Sequence, residues 1–196
     1  DGIRGHVGKL LTAPLPLQVA YWAGHVLLEA RNATTGTIAI GQDSRNSSSM
    51  LSMALAAGLT AAGLEVWDLG LCPTPCVAYL ASQSEALGGV MISASHNPPE
   101  DNGIKFFGAS GMKLASALQA QIAAGLRGHL PAVPTTAVWG RHHSRPELVK
   151  TYARSLHGSL AATLSLQGMK VVLDVAWGAA AGLAAQVFEE LGAQVI

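Results

Sequence analysis

Short apolar runs rich in β-branched residues alternate with longer, helix-length segments along this 196-residue chain. That alternation restricts the fold to an α/β arrangement in which helices cover a sheet. A first helix is expected over residues 14–30, with Pro14 or Pro16 in its first turn and Leu17, Tyr21, Trp22 and Leu28 among its apolar contacts. Strands are expected over 37–40, 65–69, 88–92 and 104–107, and helices over 50–62, 77–81 and 115–126. The turn Gly41-Gln42-Asp43-Ser44-Arg45-Asn46-Ser47 ends in an N-cap candidate. Residues 128–145 read as a Pro-containing connector. Beyond it the pattern restarts, with a helix over 147–164, a strand over 170–174, a helix over 180–191 and a strand over 193–196. The expected organisation is one domain over residues 1–145, followed over 146–196 by a linker helix and an incomplete second α/β domain.

Composition removes several function classes. Twelve basic residues balance twelve acidic ones, so no net field favours nucleic acid or an anionic membrane. No apolar run approaches the roughly 20 residues needed to span a bilayer. The chain opens at Asp1 with neither a basic n-region nor an apolar h-region, so no secretory signal is read and a cytoplasmic protein is expected, with Asp1 not its biological start. Cys72 and Cys76, in Cys-Pro-Thr-Pro-Cys, read as two reduced thiols. His142 and His143 fall beside Arg141 and Arg145 in the connector, where a solvated segment is a better reading than a metal site.

The densest chemistry lies in residues 93–103, which run from the expected strand 88–92 to the next one. Ser95 supplies a hydroxyl nucleophile, His96 an adjacent imidazole, Asn97-Pro98 a turn, and Lys105 a cation just after Asn102-Gly103. A phosphate on Ser95 would carry about −1.5 to −2 charge and would need donors around it. Lys105 and Arg4 could supply positive charge, and His96 or Lys105 could move protons. By spacing alone, the same residues suit a polar connecting loop held by side chain to backbone hydrogen bonds.

Ser93-Ala94-Ser95-His96-Asn97-Pro98, with Asp101-Asn102-Gly103-Ile104-Lys105-Phe106-Phe107, resembles the phosphoserine loop of the α-D-phosphohexomutases, and its wording resembles most the phosphoglucosamine mutase branch. Asp1-Gly2-Ile3-Arg4-Gly5 and Gly41-Gln42-Asp43-Ser44-Arg45 resemble two further motifs of that superfamily in the same order, and the similarity continues through 171–178. The resemblance implies a mixed sheet sandwiched between helices, with the start of a similar second domain. It implies an isomerase that interconverts glucosamine 6-phosphate and glucosamine 1-phosphate, feeding amino-sugar nucleotide and cell-wall precursor synthesis. Ser95 would be the phosphorylated residue and, through its phosphate, one ligand of Mg2+. Arg4 would neutralise that phosphate, Lys105 would be a proton-transfer residue, and His96 a further candidate in the same neighbourhood. Asp43 and Arg45 suit a structural role in fixing the turn and packing against the loop at least as well as substrate contact.

The implied partners are a phosphosugar substrate, glucosamine 1,6-bisphosphate as activator and intermediate, and the remaining domains of the same polypeptide; a homodimer is compatible, whereas nucleic acid and membrane are not expected. The aspartates are Asp1, Asp43, Asp68, Asp101 and Asp174, without the Asp-Gly-Asp-x-Asp-Arg cluster that supplies the superfamily's other magnesium ligands. Truncation accounts for this better than a metal-free enzyme, and this chain alone is expected to be inactive. Ser110, Met112 and Trp177 depart from the usual pattern, the last at a tight strand-to-helix turn. The alternatives are a phosphomannomutase or phosphoglucomutase of the same superfamily, or a non-catalytic α/β binding module. Gly178-Ala179-Ala180-Ala181-Gly182 lacks the spacing of a dinucleotide-binding turn.

Overall fold

The computed structural model describes residues 2–131, 138–161 and 164–196. In chain order the elements are β1 (Ile3–His6), α1 (Pro14–Ala30), β2 (Gly36–Gln42), α2 (Ser48–Ala61), β3 (Leu64–Leu71), α3 (Thr74–Gln83) and β4 (Gly88–Ile92). There follow β5 (Asp101–Gly108), α4 (Ser116–Leu126), β6 (His142–Ser144), α5 (Glu147–Ala161), β7 (Lys170–Val171), α6 (Ala184–Glu190) and β8 (Gln194–Val195). Six strands form one mixed sheet in the order β1-β5-β4-β2-β3-β6, and β7 pairs with β8 in a second, two-stranded sheet. The mixed sheet covered by helices is the expected fold class.

Strand β2 pairs in parallel with β3 on one side and β4 on the other. The chain moves outward from β2 through α2 to β3, then returns past β2 through α3 to β4. Crossovers of one hand travelling in opposite directions must place their helices on opposite faces of the sheet. The packing follows that rule. Ile38, Ile40, Val66, Val90, Ile92 and Ile104 face a core shared with α1, α2 and α4. Ala39, Met91 and Phe107 instead pack with Cys76, Val77 and Leu80 of α3.

Close backbone approach sets the helix layer. Gly58 of α2 sits against α1, where an added Cβ would lie 2.2 Å from the Leu17 carbonyl oxygen and 2.8 Å from the Ala20 Cβ. Gly41 plays a similar part for α3: its missing Cβ would meet Cys72 Sγ and Val77 Cγ2, both at 2.5 Å. Cys72 and Cys76 are free and fully buried. The Cys76 side chain hydrogen-bonded to it, together with burial, pushes the Cys72 thiol far up from the usual thiol range. A protonated, inaccessible thiol packs as a small apolar group and is a poor nucleophile.

Several boundaries differ from the sequence reading. Ile3–His6 is an edge strand, paired antiparallel with residues 101–104 of β5, so the expected loop over 93–103 ends at Glu100. The connector over 128–145 contributes β6, which extends the sheet beside β3. His142 pairs with Asp68 at 3.1 Å and His143 with Glu65 at 2.5 Å, so the segment is an edge strand and not a structureless connector, while both histidine side chains stay more than 40% exposed, as expected of a solvated segment. Strand β7 covers only Lys170–Val171 of the expected 170–174, and α6 covers Ala184–Glu190 of 180–191. Part of the connector, and the expected extension of α5 toward residue 164, lie outside the described residues. Val149 and Tyr152 of α5 touch the α3 cluster and also a third cluster with Leu183, Val187 and Leu191. Among the described residues no helix is long and apolar enough to cross a membrane.

Two measurements test this packing. Replacing Gly58 with alanine gains up to about 1 kcal/mol of helix propensity but drives a methyl into backbone. The expected net effect is destabilisation of roughly 1–3 kcal/mol in urea melts. His25 of α1 stacks edge-on against Tyr21 at 4.5 Å, its Nε2 is buried without a hydrogen-bond partner, and burial lowers its pKa. Above the ordinary imidazole pKa of about 6.5 neither state is protonated, so no penalty arises. As pH falls from there toward the lowered native value, only the unfolded chain gains the proton and stability drops. The urea midpoint should therefore fall between about pH 7 and pH 5.5, and His25→Leu should fall less steeply over that window.

Candidate active site

Strands β2 and β4 run side by side and end together, at Gln42 and Ile92. Their continuations diverge, one toward α2 and the other toward β5. Open sheets bind ligands in the crevice outside the carboxyl ends of strands at such a reversal. Here the crevice is flanked by residues 43–47 and 93–100, joined at their base where the Asp43 amide donates to the Ile92 carbonyl at 2.9 Å.

Ser95 is exposed in the second of these segments, with a left-handed backbone at φ 58° that non-glycine residues seldom adopt. Its amide donates to Ser93 Oγ at 3.0 Å, and its own Oγ lies 2.9 Å from His96 Nδ1. The sequence-predicted nucleophile and imidazole therefore meet directly. Below them the loop is closed by turns from Asn97 N to Ala94 O and from Asp101 N to Pro98 O.

Arg45 crosses from the other segment beneath this loop. Its Nη1 donates to the Pro98 and Asp101 carbonyls at 2.6 and 3.0 Å, and its Nη2 to those of Ser95 and Asn97 at 2.9 and 2.8 Å. Its Nε pairs with Asp43 Oδ2 at 3.1 Å. The other Asp43 oxygen accepts from the Arg45 amide and from Ser48 Oγ, at 3.1 and 2.8 Å. Fully buried Asn102 completes the support: its Nδ2 donates to Ser47 Oγ and Ser48 Oγ at 2.9 and 3.0 Å, and its Oδ1 accepts from the Gly103 amide at 2.8 Å. Ser47 precedes α2, but its hydroxyl serves Asn102 and makes no cap hydrogen bond to the helix.

Arg4 reaches the same loop, donating from Nη1 to Asn97 Oδ1 at 3.3 Å. Asn97 in turn donates to Asp101 Oδ2 at 2.9 Å. Arg4 pairs with Gly103 across β1 and β5, so strand alternation puts Lys105, two residues on, on the same face as Arg4. Lys105 does not line the cleft at Ser95. That cleft, of about 510 Å³, is bounded by Asp43, Arg45, Ser95 and Asn97, and also by Trp177 and Gly178. Ser44 Oγ donates to the Trp177 carbonyl, and the Trp177 ring is 88% exposed at the cleft's lip. From sequence, Asp43 and Arg45 suit a structural role in fixing the turn and packing against the loop, and the hydrogen bonds of Arg45 fit that role; Asn102 and Ser48 were not singled out as loop supports.

Among the described residues no group of three or more His, Cys, Asp or Glu side chains could hold a metal ion. The two carboxylates of this network, Asp43 and Asp101, are engaged by Arg45 with Ser48 and by Asn97. The described residues therefore do not form a magnesium site of their own.

Removing the Asn102 side chain strands the buried Gly103 amide and takes a donor from each of two serine hydroxyls, of which Ser48 keeps its bond to Asp43. Asn102→Ala should cost roughly 1–3 kcal/mol of unfolding free energy, read by urea melts, with a larger effect than Ser47→Ala alone.

Comparison with known proteins supports the fold and gives the family. Residues 1–129 match the family model for phosphoglucomutase/phosphomannomutase, alpha/beta/alpha domain I. A phosphoglucosamine mutase from Nostoc sp. is 66% identical over all of this chain, which covers 40% of that relative. The phosphoglucosamine mutase of Synechococcus elongatus is 60% identical over the whole chain, covering 41% of it. A crystal structure of a phosphoglucomutase/phosphomannomutase family protein from Burkholderia thailandensis superposes with a TM-score of 0.80 at 25% identity, over 99% of this chain and 42% of that one. The chain thus spans about 40% of the length of the curated relatives it matches. From the family match and the identity over its whole length, the chain belongs to the phosphoglucomutase/phosphomannomutase family.

Proposed function

We propose that this chain is the serine-bearing part of an enzyme that interconverts glucosamine 6-phosphate and glucosamine 1-phosphate, with Ser95 as the residue that stores the phosphoryl group. The observation that carries the reading is the strained, exposed Ser95 at the reversal point of the sheet, its Oγ 2.9 Å from His96 Nδ1. Relatives at 60–66% identity bearing the phosphoglucosamine mutase name favour that sugar over other hexoses.

In the first half-reaction a sugar hydroxyl attacks the phosphorus on Ser95, a new P–O bond forms to the sugar, and the bond to Ser95 Oγ breaks. The hydroxyl proton passes to a base, for which Lys105 is assigned, the departing Ser95 Oγ takes a proton from His96, and the sugar becomes a bisphosphate that stays in the site. After the bisphosphate reorients, Ser95 Oγ attacks its other phosphate, a P–O bond forms to Ser95, and the bond from that phosphorus to the sugar oxygen breaks; His96 Nδ1 is in place to take back the serine proton, and the sugar oxygen takes the proton held on Lys105. Arg4, held over the loop through Asn97, offsets the charge of the phosphorylated serine. Because the described residues form no magnesium site, Mg2+ would take one oxygen from the phosphoserine and its other ligands from elsewhere in the longer chain. We assign residues 1–145 to one domain and 146–196 to the connection into a second.

The test is a coupled assay for glucosamine 1-phosphate with the complete reading frame and magnesium, beside Ser95→Ala. Ser95→Ala should lose at least about 1,000-fold in turnover, and a serine phosphomonoester signal should vanish from the protein's 31P spectrum. Turnover preferring glucose or mannose phosphate would move the protein to a sister activity, and turnover unaffected in Ser95→Ala would overturn the assignment.

A further inference from the structure

Arg45 borders the cleft that holds Ser95, so its simplest reading would be a binder of substrate phosphate. The hydrogen bonds argue otherwise. A guanidinium has five N–H donors, and all of Arg45's are committed: one to Asp43 Oδ2, two to the Pro98 and Asp101 carbonyls, two to the Ser95 and Asn97 carbonyls. Its side chain is only 12% exposed. No donor is left for an anion in the cleft unless the loop is released.

We propose that Arg45 is a positioning residue for the phosphoryl-transfer serine, a role that rests on the function assigned above to Ser95. The backbone of Ser95 is held in its left-handed conformation from both sides, its amide by Ser93 Oγ and its carbonyl by Arg45 Nη2. A left-handed serine persists only where its surroundings impose it. The clamp gathers four carbonyls, from positions 95, 97, 98 and 101, onto one rigid planar group. With its charge balanced by Asp43 and its donors all engaged, the guanidinium holds the loop without competing for the phosphate. The Asp43 pair and the Ser48 and Asn102 contacts anchor the guanidinium to the base of the sheet. Lysine cannot replace it, because a point-charge ammonium with three donors does not match this fork.

The experiment uses the complete reading frame carrying Arg45→Lys, with kcat and KM for the sugar phosphate, thermal melting, and amide hydrogen exchange of residues 94–101 by mass spectrometry. Misplacing a reacting group by about 1 Å costs on the order of 100-fold. Arg45→Lys should accordingly lower kcat by about 10- to 100-fold, leave KM within about threefold, and speed exchange at 94–101 by at least about tenfold while the rest of the domain stays protected. Should Arg45→Lys not fold, Asp43→Asn, which frees the guanidinium without removing it, should show the same pattern at about 3- to 10-fold in kcat. A raised KM with kcat intact would make Arg45 a substrate binder and overturn the proposal; unchanged kcat, or unchanged exchange in 94–101, would overturn it as well. If Ser95→Ala proves as active as the parent, the functional assignment fails by itself, and hydrogen exchange alone then decides whether Arg45 holds the loop.

Discussion

Strands β2 and β4 lie adjacent and parallel although an entire β-α unit separates them in sequence, and the site rests on that adjacency. Because the chain leaves β2 in one direction and β4 in the other, nothing fills the space beyond their carboxyl ends. The two segments there are joined by the Asp43 amide at their base and by Arg45 reaching the main chain of residues 95–101, with Ser47 and Ser48 tied to Asn102 behind them. A polar loop with several inward carbonyls needs donors, and a single guanidinium supplies four of them at once. The ion pair with Asp43 is only 12–14% exposed and derives its value from those bonds more than from charge attraction alone.

The helix layers make that adjacency accurate. Glycines let elements pack closely: Gly58 admits α1 against α2, and Gly41 makes room on β2 for Cys72 and for Val77 of α3, just before the Asp43 turn. The apolar contacts on either face are spread over many residues, whereas the site hangs on a few directional bonds at one end. Packing supplies stability, and the polar network supplies position. The exposed Trp177, tied to Ser44 through its carbonyl, shows that the second part of the chain borders the same cleft.

Much of this was legible in local patterns. Helix α1 begins and ends where Pro14 and the apolar spacing indicate, and β4 spans the expected 88–92. Ser95, His96 and Arg4 stood out through residue type and motif, and the fold brings Ser95 to His96 and Arg4 to the same loop. The edge strands were less visible. Ile3–His6 and His142–Ser144 are four and three residues long, too short for a period to declare itself, and they become strands only because β5 and β3 offer them partners.

By itself the sequence determined the α/β alternation, the mixed covered sheet through its family motifs, and the segment in which a hydroxyl nucleophile stands beside an imidazole. These depend on periodicity, turn chemistry and neighbouring residues, all of which are local. Tertiary structure alone decided which four carbonyls Arg45 holds, that of Ser95 from 50 positions away, that Asn102 rather than a helix amide engages the Ser47 hydroxyl, and that Lys105 lies on the face of Arg4. The physical reason is that the partners of Arg45 are main-chain carbonyls. Every residue carries one, so no residue type marks them, and only the path of the folded chain brings four within reach of one side chain.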